Sequence, residues 1–215
     1  MNNKISWRNY LIEIVVVFIG ITAAFLLNTW REGIKDSELE ETYLAGITRD
    51  LENDSELLDS LLIATETKLT RVENSIRNFS NSKINEEKII TIIMDIMSMQ
   101  LFENTSGAYQ SLKNSGALGL IKNKLLLGEI SDYYESLNGI RHKEDIYQKY
   151  IYDYGTPFAY KSMDILTSKI RLKSFDNSEF GNIMAGYYVL LKQNNGAYKT
   201  QKEKLELLLS KLSEH

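Results

Sequence analysis

The sequence predicts an all-α protein, with an N-terminal transmembrane helix followed by an elongated helical bundle. Three observations carry this. The stretch YLIEIVVVFIGITAAFLLNTW, Tyr10 to Trp30, is almost wholly apolar. Apolar residues then recur at spacings of three and four over some forty residues. A single proline and 12 glycines in 215 residues leave long helices uninterrupted, and no Asn-Gly or Asp-Gly pair sits between alternating strand patterns. The expected organisation is a flank at 1–9, a transmembrane anchor at 10–30 and a helical soluble domain at 31–215.

Leu11 to Leu27 contains only Glu13 and Thr22 as polar side chains. Extended to Trp30, the run reaches about 30 Å as helix, enough to span a bilayer. Tyr10 and Trp30 bracket it, where amphipathic rings favour the headgroups. A cleaved signal peptide is the rival reading, since Lys4 and Arg8 precede the run. The only small-residue candidate, Thr22-Ala23-Ala24, is followed by Phe25-Leu26-Leu27 and not by a polar mature start, so retention is expected. Arg31 and Lys35 nearly balance Lys4 and Arg8, and the α-amine tips the N-terminus inward. The expected location is therefore a bacterial inner membrane, single-pass, with a cytoplasmic N-terminus and a periplasmic domain.

Glu13, Gly20, Ala24 and Asn28 share one face of that helix at 100° per residue. Gly20 and Ala24 form a small-xxx-small pattern that admits a second helix. Two readings of this face stand open. It meets a membrane partner or a second copy, or the anchor is ordinary and Glu13 snorkels to the headgroups.

Ser37-Glu38-Leu39-Glu40 matches a capping box, and Leu44, Ile47, Leu51, Leu58, Leu62, Thr65, Leu69, Val72, Ile76 and Phe79 follow at helical spacing. They predict a helix of about forty residues ending at Ser80-Asn81-Ser82, which runs on directly from the span if Glu32-Gly33 does not break it. Glu86 to Phe102 is apolar almost all round and reads as a buried helix. Thr105 or Ser106 caps a short helix ending near Asn114, and Ser115-Gly116 stops it. Asn123 caps the next, through Leu125, Ile130, Tyr134, Leu137, Ile140, Tyr147, Ile151 and Tyr154. Gly155-Thr156-Pro157 ends that helix and starts another. Asp176-Asn177-Ser178-Glu179 opens the last, to about Leu212, with Asn194-Asn195-Gly196 as a place for a kink or split.

Charge and composition exclude several function classes. The chain holds 25 Lys and Arg against 29 Asp and Glu, without a basic run, so nucleic acid is not an expected partner. The absence of cysteine excludes disulfides, thiol catalysis and Cys-based metal sites. His142 and His215 lack the Glu-x-x-His pairing of a di-iron bundle, since Glu144 stands at the wrong spacing. Gly116-Ala117-Leu118-Gly119 lacks the Lys-Ser/Thr ending of a phosphate loop. No catalytic constellation, metal or cofactor is expected. Tyr109, Leu112, Lys113, Asn114, Ser115 and Gly116 end a helix, where they either punctuate it or line a polar groove for a ligand or partner. Tyr133, Tyr134, Tyr147, Tyr150, Tyr152, Tyr154 and Tyr160 crowd one region, either as core or as a recognition surface.

Two separated motifs carry a resemblance. Glu13-Ile14, Ile19-Gly20-Ile21, Ala24 and Asn28-x-Trp30, followed by Tyr109-x-x-Leu112-Lys113-x-Ser115-Gly116, Leu120-Ile121 and Ile130-Ser131-x-Tyr133-Tyr134, resemble the DUF6090 group of small bacterial membrane proteins, of Bacteroidetes type. The resemblance covers Tyr10 to about Tyr134. It implies one membrane helix, a helical remainder and no assigned activity, with Thr29 and Arg31-Glu32-Gly33 departing from the usual pattern. The expected function is a non-enzymatic binding, scaffold or sensor-like module in the envelope, partnered by the bilayer and by a second copy or membrane protein. The alternative is a subunit of an ion-coupled assembly that uses Glu13.

Overall fold

A computed structural model describes residues 7–80, 85–171 and 173–214. Helix α1 spans Trp7–Ser80 without a break, 74 residues and about 110 Å. Helices α2 (Glu86–Met97), α3 (Gly107–Asn114) and α4 (Lys124–Tyr150) follow, with a 3-10 turn at Ala117–Leu120. A π turn at Ile151–Gly155 joins α4 to α5 (Thr156–Ser162). A two-residue hairpin, β1 (Met163–Asp164) against β2 (Lys169–Ile170), leads to α6 (Asn177–Ser213). Lys4, Asn81, Ser82 and His215 lie outside the described residues.

The all-α class holds. From Glu40 onward, α1 buries Glu40, Leu44, Ile47, Leu51, Asp54, Leu58, Leu61, Thr65, Lys68, Val72 and Ser75. Their spacing alternates four and three throughout, the 3.5-residue repeat by which supercoiled helices keep one seam inward. Against this seam α6 runs antiparallel, for Thr65 Oγ1 donates to Asn195 Oδ1 at 2.8 Å while Lys202 Nζ reaches Ser55 Oγ and Asp59 Oδ2, both at 2.7 Å. Helix α4 runs parallel to α1, with Lys122 beside Glu40 and Tyr133 beside Asp54.

Two apolar clusters stack along the bundle. One gathers Leu44 to Leu61 of α1 with Leu112, Ile130, Leu137 and Leu205. The other gathers Val72 with Ile92, Ile93, Phe158, Phe180 and Tyr187. Between them lie the buried polar residues Thr65, Lys68, Glu144, Asn194 and Asn195.

Several expectations need correction. Ser37 does not cap a helix: its Oγ donates to Gly33 O one turn back, inside α1. Gly33 weakens a helix by about 1 kcal/mol, which leaves it continuous when both flanks are strong formers. Helix α2 stops at Met97, not Phe102, because Lys68 Nζ takes up the carbonyls of Ser98 and Asp95 while the next amides turn to other partners. It is also one-sided, with Met94 exposed. Gly155-Thr156-Pro157 does start another helix, α5, with Pro in its first turn, but Thr156 does not cap it and α4 already gives way after Tyr150. The chain takes a π turn in which Thr156 N donates to Ile151 O, and Gly155 sits so close to α2 that a Cβ would lie 2.6 Å from Ile96 Cγ2. The 3-10 turn and the hairpin were unforeseen. The hairpin turn is closed by Asp164 Oδ1, which accepts from Leu166 N and Thr167 N, and by Ser168 at φ 53°, so no Asn-Gly signal marks it. Asn194-Asn195-Gly196 does not split α6, which runs on through it, and both asparagines are buried.

Candidate functional site

The segment from Ser98 to Asn123 holds α3 and the 3-10 turn between irregular stretches, and it carries the second motif as far as Ile121. Carboxylates hold it. Glu144 Oε1 accepts from Phe102 N at 2.6 Å, Asp54 Oδ1 from Thr105 N at 2.6 Å, Asp50 Oδ2 from Ala108 N at 2.9 Å and Glu40 Oε1 from Lys122 N at 2.6 Å. Three of these acids lie on α1, so the segment is clasped along the helix that continues from the apolar span. A carboxylate bonded to a backbone N–H is a strong, directional acceptor, and it supplies amides that no helix or sheet satisfies. Gly46 lets the start of α3 come close, for a Cβ there would sit 3.0 Å from Ala108 Cβ.

The environment of these acids perturbs them. Burial, opposed by the Thr105 and Tyr133 hydrogen bonds, pushes the Asp54 carboxyl from its ordinary 3.8 up to about 6. Burial likewise raises Glu144, against the lowering effect of Tyr198 and Phe102. Tyr133 donates to Asp54 Oδ2 at 3.3 Å and Tyr198 to Glu144 Oε1 at 2.6 Å, and burial drives both phenols well above their usual range. Burial also depresses the Lys68 ammonium, although Asp95 lies near. Asp95 is held by Arg71 through two bonds of 2.7 Å.

Each of these acids is thus committed to a donor. Among the described residues, no group of three or more His, Asp or Glu is placed to hold a metal ion. His142 is exposed.

The structure separates the residues singled out from the sequence. Tyr109 and Leu112 are buried, with Tyr109 stacked on Tyr134 at 4.3 Å between centroids and 4° between planes. Lys113, Ser115 and Gly116 lie on the surface beside them. Ser115 Oγ donates to Leu112 O and lies 3.4 Å from Tyr43 Oη, and Gly116 takes φ 72°, the left-handed value that ends α3. Glu13, Gly20, Ala24 and Asn28 are all exposed on α1. No atom would lie within 4 Å of a Cβ at Gly20, and Asn28 Nδ2 donates to Glu32 Oε1. Of the tyrosines, Tyr133, Tyr134 and Tyr147 are core, Tyr150 is half-buried, and Tyr152, Tyr154 and Tyr160 are exposed.

The clasping acids escaped the sequence reading, yet a signal was there. Asp54 falls between Leu51 and Leu58, three and four residues away, where the inward register calls for an apolar side chain. Glu40 stands likewise four before Leu44.

None of the curated proteins and none of the solved structures compared with the chain matches it. A family of unknown function does, over residues 13–194, from Glu13 in the apolar span through the clasped segment and past Tyr134 into α6. The chain belongs to that family, DUF6090.

Proposed function

We propose that this chain is a non-enzymatic, single-pass membrane protein whose helical domain binds a protein or envelope ligand as a scaffold or sensor-like module. It resides in a bacterial inner membrane, with its N-terminus in the cytoplasm and its domain in the periplasm. The observation that carries the reading is the continuity of α1. Residues 10–30 form a wholly exposed apolar cylinder long enough to cross a bilayer. The same helix, without a joint, supplies the central seam of the bundle from Glu40 to Ser75. A flexible linker would merely tether a domain, whereas a continuous helix also fixes its direction and rotation relative to the bilayer. The span is then a positioning element as well as an anchor.

The test uses the cysteine-free chain. After an alkaline carbonate wash the full-length protein stays with the membrane, and Leu166→Cys reacts with an impermeant maleimide in spheroplasts. Release by carbonate overturns the anchor, and labelling only after lysis overturns the orientation. Cross-linking and pull-down from detergent extracts return a partner or a second copy, and isolated monomer alone counts against the binding role.

A further inference from the structure

The chain descends along α1 from Ser98, beside Lys68, to Lys122, beside Glu40, and turns there before α4 carries it away again. The lowest part of the bundle, nearest the apolar span, is therefore the turn from Gly116 to Leu125. Lys122 N donates to Glu40 Oε1 and its Nζ to Ser37 Oγ, both at 2.6 Å, which places this turn seven to ten residues beyond Trp30, a rise of about 10–15 Å. Headgroups occupy about 5–7 Å on each side of the hydrocarbon. Spanning helices tilt by about 20° on average, and a helix packed about 10 Å to one side is lowered by about 3–4 Å on the downhill side.

At this end Leu125 is 82% exposed in the first turn of α4, and Leu120 is half-exposed in the 3-10 turn before it. A single exposed leucine is ordinary. Here it stands at the end of the bundle nearest the apolar span, with Asn123, Leu126 and Glu214 beside it. The surrounding charges, Lys122 and Lys124 against Glu38, Glu41 and Glu214, are of mixed sign. Apolar insertion, and not attraction to anionic lipid, is the contact they permit.

Building on the anchored reading, we propose that the Gly116–Leu125 turn is a second membrane contact, in which Leu120 and Leu125 enter the headgroup and acyl boundary of a phospholipid bilayer. Together with the span it makes a two-point attachment, so the domain leans toward one side instead of standing free on α1.

The test places one bimane-labelled cysteine at a time in the full chain, reconstituted in phosphatidylcholine vesicles whose acyl chains carry bromine both near the carbonyls and at mid-chain, so that a probe at either depth is quenched. Phe18→Cys reports the anchor, Gly119→Cys the turn and Leu166→Cys the distal hairpin. Gly119 has open space around it, so the probe displaces nothing. Quenching at Gly119 several-fold above that at Leu166, falling to the Leu166 level when Leu125 is also changed to Gln, supports the contact. Quenching at Phe18 with none at Gly119 overturns it and leaves the anchor standing. No quenching at Phe18 overturns both. Contact that appears only with anionic lipid overturns the apolar mode.

Discussion

Replacing Asp54 by Asn tests whether the acid that clasps Thr105 is held against its own ionisation. Its side chain is fully buried, and its carboxyl is raised from 3.8 to about 6. The folded state thus holds a proton that the unfolded chain has released, so the contribution to stability is whole below about pH 4 and is lost as pH rises through about 6. At about 1.4 kcal/mol per tenfold change, the full loss is about 3 kcal/mol. Between about pH 4.5 and about pH 7.5 the part lost is about 2 kcal/mol, because the unfolded carboxyl is already mostly ionised at the lower value. Asn keeps an oxygen for Thr105 N and presents an amide to Tyr133 Oη, without titrating. Urea unfolding of wild type and Asp54→Asn in the same detergent at both pH values isolates this group, since titrations common to both chains cancel. The variant gains about 2 kcal/mol relative to wild type on going to the higher pH. An equal difference between the two chains at both pH values refutes the argument.

Other expectations follow from contacts already described. Glu144→Leu leaves Tyr198 Oη and Phe102 N without their acceptor, each costing about 1–3 kcal/mol, while Glu144→Gln keeps an acceptor and loses less; thermal unfolding ranks the two. Gly186→Ala puts a Cβ 2.2 Å from Tyr150 Oη, whose bond to Ile183 O it disturbs, and lowers stability by about 1–3 kcal/mol in denaturant titration. Gly33→Ala meets nothing within 4 Å and stiffens the exposed stalk, raising its hydrogen-exchange protection by an amount equivalent to about 1 kcal/mol.

Much of the fold was legible because local chemistry and long-range packing agree. Asn123 caps α4 by accepting from Leu126 N, and Asp176 caps α6 by accepting from Ser178 N and Glu179 N, as their sequence positions predict. Ser37 has the same credentials and fails. A capping box stabilises a helix start by one or two bonds, whereas residues on both sides of Ser37 already favour helix and continuing costs no free ends. The end of α2 was misplaced for the opposite reason. Its apolar pattern persists through Met99 and Leu101, but Lys68, Glu144 and Asp54 compete for its backbone from distant parts of the chain. The clasp itself was illegible to a search for catalytic patterns, because its acids are 10, 4 and 90 residues apart and their partners are backbone amides, which carry no side-chain signature.

The continuity of α1 also relates the two faces that the sequence left unconnected. At 100° per residue, Glu13, Gly20, Ala24 and Asn28 centre about 180° from Glu40, Leu44, Ile47 and Leu51, which carry the bundle. The small-residue stripe therefore looks away from the domain, and a second helix laid along it does not collide with the packing of α3, α4 and α6. If the anchor pairs with another copy, the domains project outward on opposite sides. Cysteines at Ala24 and at Leu26, which lies on the bundle side of the span, distinguish the cases under oxidation in membranes. Ala24→Cys gives a disulfide dimer that Gly20→Leu suppresses, and Leu26→Cys gives little. Equal cross-linking at the two positions removes the stripe as a pairing face, because random collisions favour neither side of an exposed helix.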